Sequence, residues 1–156
     1  EGSFKKYAIN AQKNPNKDFI YSKVKLMKGN YFIKDILGQW NWKTFKKSME
    51  FAHVGAIHNK HFFENYGTFD ESYKITGDYE MLLRAKGRLK SLFMEEFTVK
   101  MQVGGISNNV VSRAFKEARK AKIKTGGVNL FYANFDYLYM YFKCFWGAAL
   151  RNLKRK

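Results

Sequence analysis

At 156 residues, with 46% hydrophobic and 18% aromatic content, the chain is long enough to bury one core and too apolar for a disordered tail. Its single cysteine, Cys144, excludes an internal disulfide and points to a reducing compartment. The 29 Lys+Arg against 13 Asp+Glu leave a net charge of +16, which attracts nucleic acid, anionic membrane or phosphorylated substrates without choosing among them.

No secretory signal opens the chain, and Glu1 follows no initiator Met, so the start reads as a fragment boundary. Residues 2–13 read as a short helix ended by Asn14-Pro15-Asn16. Residues 18–27 alternate as a strand, with Ile20, Ser22, Val24 and Leu26 on one face and Phe19, Tyr21, Lys23 and Lys25 on the other. Lys28-Gly29-Asn30 turns the chain into a second strand over 31–37. Residues 38–52 read as an irregular or helical surface segment. Its Trp40 and Trp42 either join the core, the usual fate of large aromatics, or stack on a sugar or a base.

A helix over 60–66 stops at Gly67, and the next runs over 78–85. Glu80 and Arg84, four apart on it, form either a surface salt bridge or a functional pair. Asp78 sits at the helix start, where unpaired N–H groups and the helix dipole favour a carboxylate. By itself Asp78 reads as a helix cap. Short strands are expected at 91–94 and 97–102. Ser107 then caps a helix to about 124, whose apolar stripe holds Val110, Val111, Ala114, Phe115, Ala118 and Ala121. Arg113, Lys116, Arg119, Lys120, Lys122 and Lys124 make its other side basic.

Gly126-Gly127 ends that helix. Residues 137–150 are then almost wholly apolar and aromatic, and a basic tail of Arg151, Lys154, Arg155 and Lys156 follows. The run is too short to span a bilayer. It suits either a membrane interface or a helix packed on the core or on a partner chain. His58 and His61, three apart, lack a third metal ligand and read as ordinary polar histidines.

The stretch 53–84 resembles the second half of an inverting, family-two glycosyltransferase of the GT-A fold. Phe62, Phe63, Gly67, Phe69, Asp70 and Glu71 match its "hxxhxxxGxFDE" turn, and Asp78, Tyr79, Glu80 and Arg84 match the acidic motif and Arg that follow. Gly104 to Ser107 match a later "GGxS", and Asp18, Tyr21, Val24 and Leu26 match a "DxxYxxVxL" strand just downstream of the metal-binding DxD. One departure is Gly77, where the family often has Glu, so the acidic pair becomes Asp78 and Glu80.

The resemblance covers roughly residues 1–125. It implies an α/β fold: the C-terminal, acceptor-side part of a GT-A (nucleotide-diphospho-sugar transferase) domain, a small mixed sheet with packed helices. Residues 126–156 would add an aromatic amphipathic helical extension. Asp78 would be the general base, with Glu80, Arg84, Trp40 and Trp42 on the acceptor side and His53 near the donor diphosphate. The cofactor, a divalent Mn or Mg, would belong to the full-length parent and its DxD; none is expected in this chain alone. The missing nucleotide-binding half amounts to roughly 100 residues, so the isolated chain is expected to be inactive.

The implied partners are a nucleotide-sugar and a saccharide or lipid-linked acceptor. The setting is bacterial polysaccharide synthesis at the cytoplasmic, inner face of the membrane, with an anionic surface and oligomerisation through the last helix as further contacts. The competing reading is a non-enzymatic, basic, aromatic-rich binding module for nucleic acid or anionic membrane. No ordered nucleic-acid-binding signature accompanies it, and the acidic loop from Asp70 to Glu80 would repel phosphates.

Overall fold

The structure, a computed structural model, describes residues 2–103 and 111–153. Its centre is β1 (Phe19–Lys28), which pairs on one edge with β2 (Tyr31–Ile36) and β3 (Ala56–His58), both antiparallel. On its other edge β1 pairs with β4 (Ser91–Gln102) in parallel, which completes a four-stranded mixed sheet. Gly29 makes the β1–β2 turn with φ of 58°, a left-handed conformation that costs glycine little.

The alternation along β1 places residues as expected, but both faces of its first half are buried. Phe19 and Tyr21 enter the main core, while Ile20 packs with Met94 and with Tyr7 of helix α1 (Gly2–Lys13). The Tyr7 hydroxyl reaches Ser22 Oγ at 2.9 Å, the Gly55 carbonyl at 2.7 Å and Thr98 Oγ1 at 2.8 Å. This polar clasp holds α1 against three parts of the sheet region.

The two short strands expected at 91–94 and 97–102 are one strand. Its register against β1 slips between Ser22 and Val24, where Glu95, Glu96 and Thr98 are extra residues. A bulge lets the ladder resume after exposed charged residues, so the interruption read from Glu95-Glu96 marks an irregularity and not an end.

The other elements are α2 (Trp42–Phe45), α3 (Lys60–Tyr66), α4 (Gly77–Ala85), α5 (Val111–Lys124) and α6 (Leu130–Leu153). Helix α4 is the spine of the core. Met81, Leu82, Leu83 and Ala85 are fully buried, and Phe45, Phe51, Phe62 and Phe19 pack around them. The segment 38–52 is not merely surface: it contributes Phe45 and Phe51 to this cluster.

Helix α6 begins at Leu130, earlier than the aromatic run suggests, and packs on α5. Lys122 pairs with Asp136 at 3.5 Å, and Arg119 Nε donates to Asn134 Oδ1. Residues from 126 on are therefore joined to the preceding domain by side-chain contacts. Among the described residues, no helix is long and apolar enough to cross a membrane. The Gly104 to Ser107 motif, the Ser107 cap and Val110 lie outside the described residues.

Candidate functional site

The N-cap of α4 is Thr76, not Asp78, and its side chain makes no capping bond. Asp78 is the second residue inside the first turn. Its Oδ1 accepts the Tyr79 N–H at 2.8 Å. No other hydrogen bond or ion pair to this carboxylate is found among the described residues, and it is only half-buried. It stands in the wall of a cavity of about 310 Å³ enclosed by α4, α5, α6 and residues 47–49. A carboxylate with one oxygen tethered and the other unclaimed, facing such a space, is competent to accept a proton from a bound hydroxyl.

The turn that presents Asp78 is held from α5. Glu117 Oε2 accepts the backbone N–H groups of Ile75 at 2.8 Å and Thr76 at 3.1 Å, and Oε1 accepts that of Lys74 at 3.2 Å. Arg113 Nε adds a contact at 2.9 Å. Burial alone would raise the Glu117 pKa, but these N–H groups and Arg113 together hold it below the usual carboxylate value. Sequence reading passed over Glu117. The available signal was that it is the one acidic residue in the α5 stretch, four after Arg113.

Glu80 and Arg84 form a buried structural joint, not a surface pair. Glu80 is only 4% exposed. Arg84 Nη2 reaches Glu80 Oε2 at 2.6 Å, and Nε lies 3.1 Å from both carboxylate oxygens. Arg84 Nη1 then donates to the carbonyls of Tyr66 at 2.9 Å and Thr68 at 2.8 Å, and Thr125 Oγ1 donates to Glu80 Oε1 at 2.8 Å. The pair thus ties the end of α3, helix α4 and the end of α5 together. Gly67, with φ of 79°, lets the chain leave α3 close to this guanidinium: a Cβ there would sit 3.1 Å from Arg84 Nη1.

His53 opens a short 3₁₀ turn, and its Nε2 lies 2.9 Å from His58 Nε2. Burial, reinforced by the His53 ring, pushes His58 down to about 4, so it is neutral at physiological pH. Burial also lowers His53, against the opposing pull of the Asp78 charge. One ring must donate and the other accept. His58 Nδ1 is buried without a partner, and a buried lone pair is less costly to orphan than a buried N–H. His58 therefore carries its proton on Nε2 and donates to His53, which leaves the His53 proton on Nδ1. Phe69 stands edge-on to His53 with ring centres 6.5 Å apart, and it lies 3.7 Å from where a Cβ on Gly77 would be. His53, Phe69 and the start of α4 are thus close neighbours.

His58 and His61 do not share a helix. His61 is on α3 and meets Asp18 Oδ1 at 2.8 Å, while Asp18 Oδ2 accepts the Lys90 N–H at 2.7 Å. Buried Asp18 so pins the starts of α3 and β4 to β1. Among the described residues, no group of three or more His, Cys, Asp or Glu is arranged to hold a metal ion.

Trp40 and Trp42 are half-buried and pack on the core, with Trp40 4.4 Å from the Phe45 ring centre. They do not line the cavity beside Asp78; Lys47, Ser48 and Met49 supply that wall. The basic face of α5 is likewise divided. Arg113, Arg119 and Lys122 have the partners described above, and Lys120 lies 4.2 Å over the Tyr73 ring. Lys116 and Lys124 remain exposed.

No protein-family model matches the chain, and no curated protein matches it.

Proposed function

We propose that this chain is the acceptor-side part of an inverting glycosyltransferase, with Asp78 as the general base. The observation that carries the reading is the Asp78 carboxylate. It is tethered through one oxygen, free at the other among the described residues, and set in the wall of the 310 Å³ cavity. Its turn is held by Glu117 through the N–H groups of residues 74–76, and the Glu80–Arg84 joint ties the helix it opens to the ends of α3 and α5. Positioning of this kind is what a base needs in order to meet a hydroxyl within hydrogen-bond reach.

In the reaction, Asp78 accepts the acceptor hydroxyl proton as that oxygen attacks the anomeric carbon of a nucleotide-sugar. The nucleoside diphosphate leaves from the opposite face, which inverts the configuration. The hydroxyl becomes acidic only as the new bond forms, so an ordinary carboxylate suffices. His53, in contact with His58 and close enough to feel the Asp78 charge, is assigned to the diphosphate side. The divalent metal that the resemblance implies would be held by a DxD motif, which this sequence does not contain; among the described residues, no group of three or more His, Cys, Asp or Glu is arranged to hold a metal ion.

The protein works at the cytoplasmic face of a bacterial membrane on a saccharide or lipid-linked acceptor. Support comes from the +16 charge and from α6, whose Phe131, Phe135, Leu138, Phe142 and Trp146 are all more than half exposed. Their spacing of four, three, four and four places them on one helical stripe.

The test is to incubate the gene product that contains this chain with UDP-, GDP- and dTDP-sugars and saccharide acceptors. Released nucleoside diphosphate and a product anomer opposite to that of the donor, read by NMR, are expected. Transfer with retention would contradict the mechanism, and no transfer with any donor would contradict the reaction class.

A further inference from the structure

Lys122 is a buried nucleophile that the transfer mechanism does not use. It stands on α5 in the wall of the cavity beside Asp78, and its side chain is only 8% exposed. Phe115, Ala118, Ala133 and Met140 supply apolar surface to the same wall. Its ion-pair partner is Asp136 of α6, whose Oδ2 lies 3.5 Å from Nζ. A close charge-assisted bond would measure about 2.7–2.9 Å, so the pair holds the nitrogen loosely. A lysine that only bridged two helices could keep its ammonium in water by extending its stem along the surface. Here the side chain is withdrawn from water, which costs free energy unless the amine has something else to do.

The other charged groups facing this space are Lys47, Arg119 and Asp78. Arg119 Nε is engaged by Asn134. Tyr79 also lines the cavity, but its hydroxyl donates to the Lys46 carbonyl at 3.1 Å, and burial together with the Asp136 charge keeps it protonated. Asp136 is thus the group placed to exchange a proton with Lys122. Burial favours the uncharged amine more than Asp136 opposes it, so the Lys122 pKa lies below the ordinary lysine value. A desolvated amine beside a carboxylate is a nucleophile toward carbonyl carbon.

We propose that Lys122 is a covalent site for aldehydes that carry an apolar chain, taken up as a protonated imine. The ammonium gives a proton to Asp136, and the freed lone pair of Nζ attacks the carbonyl carbon. The C–O bond of the resulting carbinolamine then breaks as the imine double bond forms. The oxygen leaves as water with two of the three ammonium protons, relayed by Asp136, and the third stays on the imine nitrogen. One aldehyde and one ammonium become one iminium and one water, with no change of charge and no oxidant or reductant. The iminium keeps Asp136 as its counter-ion, and the chain lies on Phe115, Ala118 and Met140. None of this depends on the transferase reading.

The probe is hexanal at limiting concentration, added to the 156-residue chain with cyanoborohydride, which reduces an imine to a stable secondary amine. Peptide mass spectrometry then reads each lysine. Lys116 and Lys124, exposed on the same helix, are internal standards. At pH 7 Lys122 should be labelled at least about tenfold faster than either. The advantage should shrink as pH rises, because the exposed amines then lose their protons too. Hexanal should outpace acetaldehyde at Lys122 and not at Lys116.

Ala118→Trp fills the cavity and should slow labelling of Lys122 by at least about fivefold while leaving Lys116 unchanged. Lys122→Arg keeps the charge and the pairing with Asp136 but should lose the fast-labelled site. Labelling of Lys122 no faster than that of Lys116 and Lys124 in the unsubstituted chain would overturn the proposal. So would equal preference for hexanal and acetaldehyde at Lys122 and at Lys116.

Discussion

Replacing Arg84 with Met tests whether the Glu80–Arg84 pair is a joint of the fold. The substitution keeps the apolar stem and removes the guanidinium. Glu80, 4% exposed, then keeps only the Thr125 hydroxyl, and the carbonyls of Tyr66 and Thr68 lose their donor. Breaking a buried ion pair from one side costs about 3–5 kcal/mol, against about 0–1 kcal/mol for an exposed pair. For a chain of this size that corresponds to a fall in Tm of roughly 6–20 °C. Urea unfolding followed by the fluorescence of Trp40 and Trp42, which pack on the core, measures the loss directly. Combining Glu80→Leu with Arg84→Met removes both charges and should recover about 1 kcal/mol or more of it. A loss below about 1 kcal/mol in Arg84→Met would show that the pair behaves as a surface contact and does not hold the turn.

Three further outcomes follow from the same geometry. His58 has a folded pKa of about 4 against 6.5 unfolded, so the fold favours its neutral form; its contribution is full above 6.5 and is lost as pH falls toward 4. Stability should drop by about 2 kcal/mol from this group between pH 7.5 and 5, and the drop should shrink in His58→Asn; an unchanged slope would contradict the assignment. The isolated chain with manganese should bind no UDP-, GDP- or dTDP-sugar tightly in calorimetry, and micromolar binding would place the donor site within it. Anionic vesicles should pellet the chain more than neutral ones, with the difference falling as salt rises, because each basic residue near the leaflet adds about 1 kcal/mol; equal, salt-independent pelleting would remove the electrostatic contribution.

The local elements were legible because their signals are short-range. The alternation over β1, the breaks at Gly29 and Gly67 and the acidic start of α4 are each set by neighbours within a few residues. The pairings that shape the site are not. β1 joins β4 in parallel across some 70 residues of chain, as Phe19 opposite Ser91 illustrates, and no local pattern fixes such a partner. The same distance hides Asp18, whose carboxylate reaches Lys90, and Glu117, whose carboxylate reaches residues 74–76. Reading Glu80 and Arg84 as a possible surface pair failed because spacing of four gives adjacency on a helix but not which face is buried. Trp40 and Trp42 stay half-buried and pack against the core, close to the general rule for large aromatics.

Asp78→Asn in the gene product that carries this chain is the most direct test of the catalytic proposal. The amide keeps the size and the contact with the Tyr79 N–H through its oxygen but cannot take up the hydroxyl proton. Turnover should fall on the order of 10²–10⁴-fold while the Kd for the nucleotide-sugar donor stays within about twofold. Near-normal turnover in that variant would remove Asp78 from the role of base.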